Sequence, residues 1–177
     1  EWNGTGTEAL VMELKPQSGA GVCEAAIEEI TSTWHPRLYE ESFDECCAIV
    51  EEDFNQWLDS VPSLPKKYAE ARSLAAYINW SSMVEPVGHF LRQSMYMSKN
   101  WMTNVWSWDH CFNALALVYS KPMTAWDQFM TMFDQQDEFG ALPDYYNDRG
   151  LLWNFCKPPI HGWILSWMMQ RSIFFRA

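Results

Sequence analysis

The chain has 177 residues, enough for one domain or for one complete piece of a larger one. Hydrophobic residues make up 48% of it and aromatic residues 16%, which argues against a disordered chain. The net charge of −11 repels phosphate backbones and anionic lipid surfaces, so we expect neither nucleic acid nor a membrane as a partner.

The first forty residues differ in pattern from the rest. Residues 7–14 (TEALVMEL) alternate loosely and predict a strand. Prolines and glycines in residues 15–40 surround one short helix candidate, Cys23 to Ile30. We interpret residues 1–40 as a leader or domain junction.

The cysteines and the N-terminal residues bear on the compartment. Five cysteines show no paired spacing, and we expect Cys46 and Cys47 to be buried free thiols in a helix. The opening segment lacks the basic and apolar regions of a signal peptide. No apolar run reaches the roughly 18–20 residues of a membrane span. We therefore expect a reducing, cytoplasmic location.

Helical spacing begins at Phe43. Ser42 and Glu45 form a capping box ahead of a helix whose apolar residues repeat up to Leu58, and a second stripe runs through residues 71–78. Residues 81–108 have no clean period, and an irregular segment of that length usually has a function.

Three further helices are predicted in the second half of the chain. Apolar residues repeat with helical spacing at 112–119, at 126–133 after Pro122, and at 160–168 after two prolines. The stretch DEFGALPDYYNDRG is predicted to be a loop.

Short and long connections alternate between these helices, which predicts stacked helix pairs in an all-α chain. Five helices do not close a toroid of twelve. Such pairs are typical of an α/α toroid or of a helical repeat, and we expect residues 41–177 to hold an incomplete set of them, preceded by a short β or irregular leader.

Asp109 stands between two tryptophans and an apolar helix. It could be the N-cap of the helix that starts near His110. Alternatively it faces a ligand, because Trp106 and Trp108 would project the same way from an extended segment. An aromatic platform beside a carboxylate suits a sugar ring and its hydroxyls. We expect a carboxylate at a helix N-terminus to stay ionised.

A carboxylate-rich segment follows the fourth helix, FDQQDEFGALPDYYNDRGLLW. It lacks the alternating ligand order and closing glutamate of a calcium loop. It is either a solvated acidic loop or part of a site, and Asp144, beside Tyr145, is the member best placed to face one. The acidic residues are Asp134, Asp137, Glu138, Asp144 and Asp148.

The segment WNFCKPPIHGW, from Trp153 to Trp163, carries the remaining candidates. Two prolines fix a loop against the start of a helix, so Lys157 and His161 could reach the same cavity as Asp109, although a lone lysine could also be a surface residue. The four histidines show no ligand spacing, and we predict neither a metal nor a cofactor. The sequence contains no phosphate loop and no serine nucleophile elbow.

Three segments occur in the order MSKNWMTNVWSWDHCFNALAL, FGALPDYY and CKPPIHGW. Through them, residues 79–163 resemble the catalytic domain of glycoside hydrolase family 63 and its relatives, which include processing α-glucosidases, mannosylglycerate hydrolases and, more distantly, trehalases. The resemblance implies that residues 41–177 are the N-terminal part of an incomplete (α/α)6 barrel, in agreement with the helix pairs. Many members of the family carry a β-rich N-terminal domain, and residues 1–40 could be the end of such a domain.

The family consists of inverting hydrolases that use two carboxyl groups, one to protonate the leaving oxygen and one to activate water. The resemblance implies that Asp109, in WSWD, binds sugar hydroxyls in the −1 subsite. Lys157 stands where related sequences commonly carry Gln. The family's acid lies in a motif resembling S-G-x-D-N-S-P, which these residues lack, and its base is a later glutamate.

We therefore expect a fragment of an inverting α-glycosidase that acts on α-glucosides or related α-glycosides and is inactive alone, with no catalytic residue within this chain. A partner chain or a homo-oligomer should cover its exposed apolar faces. The expected substrate-binding residues are Trp106, Trp108, Asp109, Phe112, Asp144, Trp153, Lys157 and His161.

Two alternatives remain open at this stage. One is a helical-repeat interaction scaffold without catalysis, although no fixed repeat period is visible. The other is a barrel similar to those of terpene cyclases, prompted by QQDEFGALPD, which lacks their repeats and their acid motif.

Overall fold

The computed structural model describes residues 11–16, 19, 21–28, 35–98, 100–153 and 155–175. Within these ranges there are five α-helices and five strands of two residues each. In chain order they are α1 (Phe43–Ser60), α2 (Ala69–Ser81), β1 (Met83–Val84), β2 (Ser94–Met95), β3 (Val105–Trp106), α3 (Asp109–Leu117), α4 (Pro122–Met130), β4 (Tyr145–Tyr146), β5 (Leu151–Leu152) and α5 (His161–Arg171). None of the helices in the described ranges is long and apolar enough to cross a membrane.

The prediction of an all-α barrel fragment is wrong. Helices hold 45% and strands 6% of the structure, which makes it a small mixed α/β fold. β1 pairs antiparallel with β2, and β3, β4 and β5 form a three-stranded antiparallel sheet in that order. These strands lie in the stretches predicted to be irregular, because two residues are too few to show an alternating pattern.

The five predicted helices are confirmed in place. The capping box before α1 has both of its hydrogen bonds: the Ser42 N–H donates to the Glu45 carboxylate over 2.8 Å, and the Glu45 N–H donates to Ser42 Oγ over 3.3 Å. Pro122 occupies the first turn of α4, where a missing N–H costs no helical hydrogen bond.

The predicted N-terminal strand and short helix are absent from the residues of these segments that the structure describes. Residues 11–14 of the predicted strand are exposed and irregular, and residues 7–10 lie outside the described ranges. Residues 23–28 of the predicted short helix have no regular structure, and its last two residues are also outside the described ranges. Cys46 and Cys47 are exposed free thiols, because α1 buries none of its side chains.

The chain divides into two compact units, Glu1–Glu51 and Glu52–Ala177. The main core of the second unit lies between α3, α4 and α5. Its fully buried members are Met95, Cys111, Ala114, Leu117, Val118, Ala125, Phe129, Ile164 and Met168. This packing holds the N-termini of α3 and α5 close together, which matters for the site described below.

A second apolar cluster lies under the three-stranded sheet. It consists of Phe90, Val105, Met132 and Tyr146. The Tyr146 hydroxyl donates to the Thr131 carbonyl over 2.9 Å, and Thr131 Oγ1 lies 2.7 Å from Ser94 Oγ. These buried polar groups are therefore satisfied, and they fix the sheet to the end of α4.

Apolar side chains remain exposed on α1 and α2. They include Phe43, Ile49, Val50, Leu74 and Ile78. The expectation that a partner chain or a second copy covers such surfaces stays a prediction.

Candidate functional site

The backbone of the three-stranded sheet forms the frame of the site. Trp106 in β3 pairs with Tyr145 in β4. Beyond this pair, the Ser107 N–H donates to the Asp144 carbonyl over 2.9 Å, and the Asp144 N–H donates to the Leu152 carbonyl over 2.7 Å. Asp144 is thus held by main-chain bonds on both sides, beside the segment that leads into α3.

An aromatic and cationic contact lies on this frame. The rings of Trp106 and Tyr145 have centroids 4.6 Å apart, and the ammonium of Lys157 lies 4.9 Å from the centroid of the Trp106 ring. At that distance the negative face of the indole attracts the cation. Trp106 is half-buried, so part of its side chain stays open to solvent.

Lys157 also forms an ion pair with Asp144. Its Nζ lies 2.7 Å from Asp144 Oδ1, and the Asp144 side chain is 2% exposed. The direction of approach does not give a hydrogen bond, so Oδ1 is a buried oxygen that accepts none from the described residues. At 2.7 Å the contact is an ion pair, in which the ammonium supplies the counter-charge of the buried oxygen.

Asp109 begins α3 and is not its N-cap. The capping position is Trp108, and no side chain forms a capping hydrogen bond there. Burial raises the pKa of Asp109, an effect that its own backbone N–H and the charge of Lys157 oppose and the charge of Asp144 reinforces. The pKa rises because the loss of hydration outweighs the groups that favour the charged form.

The two tryptophans do not form one platform. The extended segment ends at Trp106, since Ser107 and Trp108 form a turn. Trp108 contacts Phe112 edge-on, with centroids 6.0 Å apart, and Phe112 is 46% exposed. Trp153 lies just after β5 and is 44% exposed. Trp106 is therefore the predicted tryptophan that joins the carboxylates and the lysine.

Glu138 of the acidic segment is exposed, and the three remaining carboxylates besides Asp144 have structural partners. Asp134 binds the guanidinium of Arg92 through both carboxylate oxygens. Asp137 accepts the N–H groups of Phe139 and Ala141 in a turn. Asp148 accepts the hydroxyl of Tyr96 over 3.0 Å. Of the acidic residues predicted there, Asp144 is the one that the structure brings to the site.

The side chains of His110, Cys111 and His161 form a separate cluster, and the charge of Asp109 acts on Cys111. His110 Nδ1 lies 2.9 Å from the Trp106 carbonyl, so Nδ1 carries the proton and Nε2 keeps its lone pair. Cys111 Sγ lies 3.5 Å from that Nε2. The His161 ring stands 5.0 Å from the His110 ring, between centroids.

The electrostatics of this group follow from its burial. Burial lowers the pKa of His110 to about 3 and raises the pKa of the Cys111 thiol to about 12. It also lowers the pKa of His161, which a hydrogen bond to the Ser107 backbone partly offsets. His161 Nε2 is buried and has no hydrogen-bond partner in the part of the chain that the structure describes. Leaving such a group unsatisfied costs about 1–3 kcal/mol.

His161 was expected to share a cavity with Asp109, but His110 and Cys111 were not predicted to belong to any site. The sequence offers little to identify them: His110 and His161 are far apart along the chain, and Cys111 falls on the apolar side of a helix, where core packing is the usual role. The one local feature that points to them is their position, because His110 and Cys111 are the two residues after Asp109.

Comparison of the chain with protein-family models, with curated proteins and with solved structures finds no match.

Proposed function

We propose that this chain supplies a sugar-binding subsite of a glycosidase related to glycoside hydrolase family 63, for α-glucosides or related α-glycosides. The observation that supports it is the convergence of the three segments that resemble the family. Trp106 and Asp109 come from the first segment, Asp144 from the second and Lys157 from the third. Lys157 contacts both Trp106 and Asp144, and its charge acts on Asp109.

The chemistry of these groups suits a pyranose. A half-buried indole offers a flat apolar surface for the C–H face of the ring. The Asp109 carboxylate is also half-buried, so it is accessible to hydroxyl groups and partly shielded from competing water. Lys157 adds a donor, and its side chain is 25% exposed. A small set of fixed polar groups beside an aromatic wall is typical of ligand sites.

Binding, and not catalysis, is the role that the two carboxylates support. An inverting glycosidase needs one carboxylate with a water molecule beside it and one protonated carboxyl at the leaving oxygen. Asp144 is 2% exposed and ion-paired with Lys157, so it is poorly placed to activate water at the ring. We therefore expect the isolated chain to bind an α-glycoside without hydrolysing it.

Saturation-transfer NMR with methyl α-glucoside and maltose tests this proposal. The variants are Asp109→Asn, which removes the charge at constant shape, and Trp106→Phe, which shrinks the aromatic surface. The matched controls are Glu138→Gln, an exposed carboxylate of the acidic segment, and Trp101→Phe, whose side chain is 79% exposed. We expect transfer to both sugars with wild type and the controls, and about tenfold weaker binding with Asp109→Asn, because a charge-assisted hydrogen bond is lost.

Equal binding by wild type and Asp109→Asn, or no transfer from wild type to either sugar, would contradict the proposal. The second result would favour the interaction scaffold. Hydrolysis of maltose that depends on Asp109 would contradict the binding role assigned to that residue.

A further inference from the structure

We infer that His110, Cys111 and His161 form a buried binding site for a zinc ion. The nearest donor atoms of the three side chains all lie within 4.8 Å of one another. His110 and Cys111 are fully buried, and His161 is partly buried. The site does not depend on sugar binding, and its three ligands are distinct from Trp106, Asp109, Asp144 and Lys157, which carry the proposed function. His161 was predicted from the sequence to bind substrate, and it is assigned here to the metal.

The orientation of the His110 imidazole favours a metal. Histidines that bind metals usually donate their second ring N–H to a carbonyl or carboxylate, which turns the other nitrogen toward the ion. His110 has this arrangement, because Nδ1–H donates to the Trp106 carbonyl and Nε2 faces Cys111 Sγ.

The burial of His161 Nε2 is not explained by packing alone. It is buried and has no hydrogen-bond partner among the described residues. The rings of Phe129 and Phe133 pack against His161, with centroids 6.4 Å and 5.3 Å away, and neither offers a hydrogen-bond donor. A cation at the centre of the three donors would satisfy this nitrogen.

The spacing fits a zinc ion after a small adjustment. Zn–S bonds of about 2.3 Å and Zn–N bonds of about 2.0–2.1 Å place neighbouring ligand atoms about 3.3–3.6 Å apart in a tetrahedron. The Cys111 Sγ to His110 Nε2 distance of 3.5 Å already matches. The widest separation, at most 4.8 Å, has to close by up to about 1.2–1.5 Å.

The donor set selects the kind of ion. One sulfur and two imidazole nitrogens suit zinc, whereas calcium and magnesium prefer oxygen ligands. When the Cys111 S–Zn bond forms, the thiol releases its proton to solvent, and no oxidation or reduction takes place. Three protein ligands leave the fourth tetrahedral position free for a small molecule.

Equilibrium dialysis of the chelator-treated chain against Zn²⁺ alone tests the site. We expect one bound zinc per chain with a Kd below about 1 μM, and at least 100-fold weaker binding in His161→Gln and Cys111→Ser. Zinc should raise the Tm of wild type and leave that of His161→Gln unchanged, because only a chain that binds the ion is stabilised. His89→Gln, which alters a histidine outside the cluster, should bind zinc like wild type.

The exposed cysteines need a separate control, because any thiol can bind zinc weakly. A variant with Cys23, Cys46, Cys47 and Cys156 all changed to Ser keeps Cys111 as its one thiol and should still bind zinc tightly. Co²⁺ added to that variant should give a near-ultraviolet thiolate band. This measurement keeps all three proposed ligands, so its result does not depend on whether Cys111→Ser folds. The assignment would be overturned if that variant lost tight zinc binding or gave no thiolate band with Co²⁺. It would also be overturned if His161→Gln bound zinc as tightly as wild type.

Discussion

The ammonium of Lys157 lies 2.7 Å from Oδ1 of Asp144, a residue whose side chain is 2% exposed. The pair joins the loop before α5 to the residue that precedes β4. A carboxylate that deep needs a counter-charge, because desolvation of an unpaired ion costs several kcal/mol. The contact therefore stabilises the fold, and it also keeps the loop before α5 against the Trp106 ring.

We expect Lys157→Met to destabilise the chain by about 3 kcal/mol, because it leaves the Asp144 carboxylate buried without a partner. Urea unfolding measures the change. The double variant Lys157→Met with Asp144→Asn should recover part of the loss, since neither charge then remains in the interior. If Lys157→Met unfolds at the same urea concentration as wild type, the ion pair contributes nothing to the free energy of unfolding.

Asp109→Asn should increase stability at pH 7 by about 1 kcal/mol while weakening sugar binding. The pKa of Asp109 is raised in the folded chain, so the stability that its neutral form contributes is complete below pH 3.8 and is lost as pH rises through the folded pKa. The gain from asparagine should therefore appear in Tm at pH 7 and vanish near pH 3. A lower Tm for Asp109→Asn at pH 7 would indicate a structural role instead.

Gly88→Ala should destabilise the fold by about 3 kcal/mol or more. Gly88 has a φ of +57°, and a Cβ there would lie 2.0 Å from the Asp148 carbonyl oxygen. Gly150 lies in the same β4–β5 turn as Asp148, and a Cβ there meets nothing within 4 Å. Gly150→Ala should thus stay within about 1 kcal/mol of wild type in urea unfolding. Similar losses in the two variants would show that the close approach of Gly88 to Asp148 does not matter.

The hydroxyl of Tyr96 makes the stability sensitive to alkaline pH. Burial, with the hydrogen bond to Asp148, raises the pKa of Tyr96 from 10.0 to about 12. Its contribution is therefore complete below pH 10 and is lost as pH rises toward 12. Tyr96→Phe should abolish about 1 kcal/mol of this alkaline loss of stability. The effect is of that size because solvent partly screens the half-buried hydroxyl. Thermal unfolding between pH 8 and pH 11 measures it, and Tyr119→Phe, which removes an exposed hydroxyl, is the control.

The helices were predictable because each carries its own evidence along the chain. α1 has a capping box at Ser42 and Glu45, and α4 has Pro122 in its first turn. The strands carry no such evidence: β3 and β4 are two residues long, and pairing with distant segments defines them. The all-α prediction failed for that reason. The helices show a 3.6-residue period in the sequence, whereas no sequence pattern marks the strand pairs that lie between them.

The candidate site was partly predictable. The neighbourhood of Asp109, Asp144 and Lys157 follows from motifs that single out each residue. The sequence did not reveal that a turn at Ser107 separates the two indoles, because the alternation rule assumes that the strand continues. It also could not bring His161 to Cys111, since only the packing of α5 on α3 makes them neighbours.

The pairing of Trp106 with Tyr145 has a consequence for the order of folding. About forty residues of chain must close into a loop before β3 meets β4, whereas α3 and α4 are neighbours in sequence and need almost no closure. The helix pair should therefore form early, and the groups proposed to hold the sugar should come together only after the long loop has closed. A chain caught before that step would have most of its helices and none of its binding site.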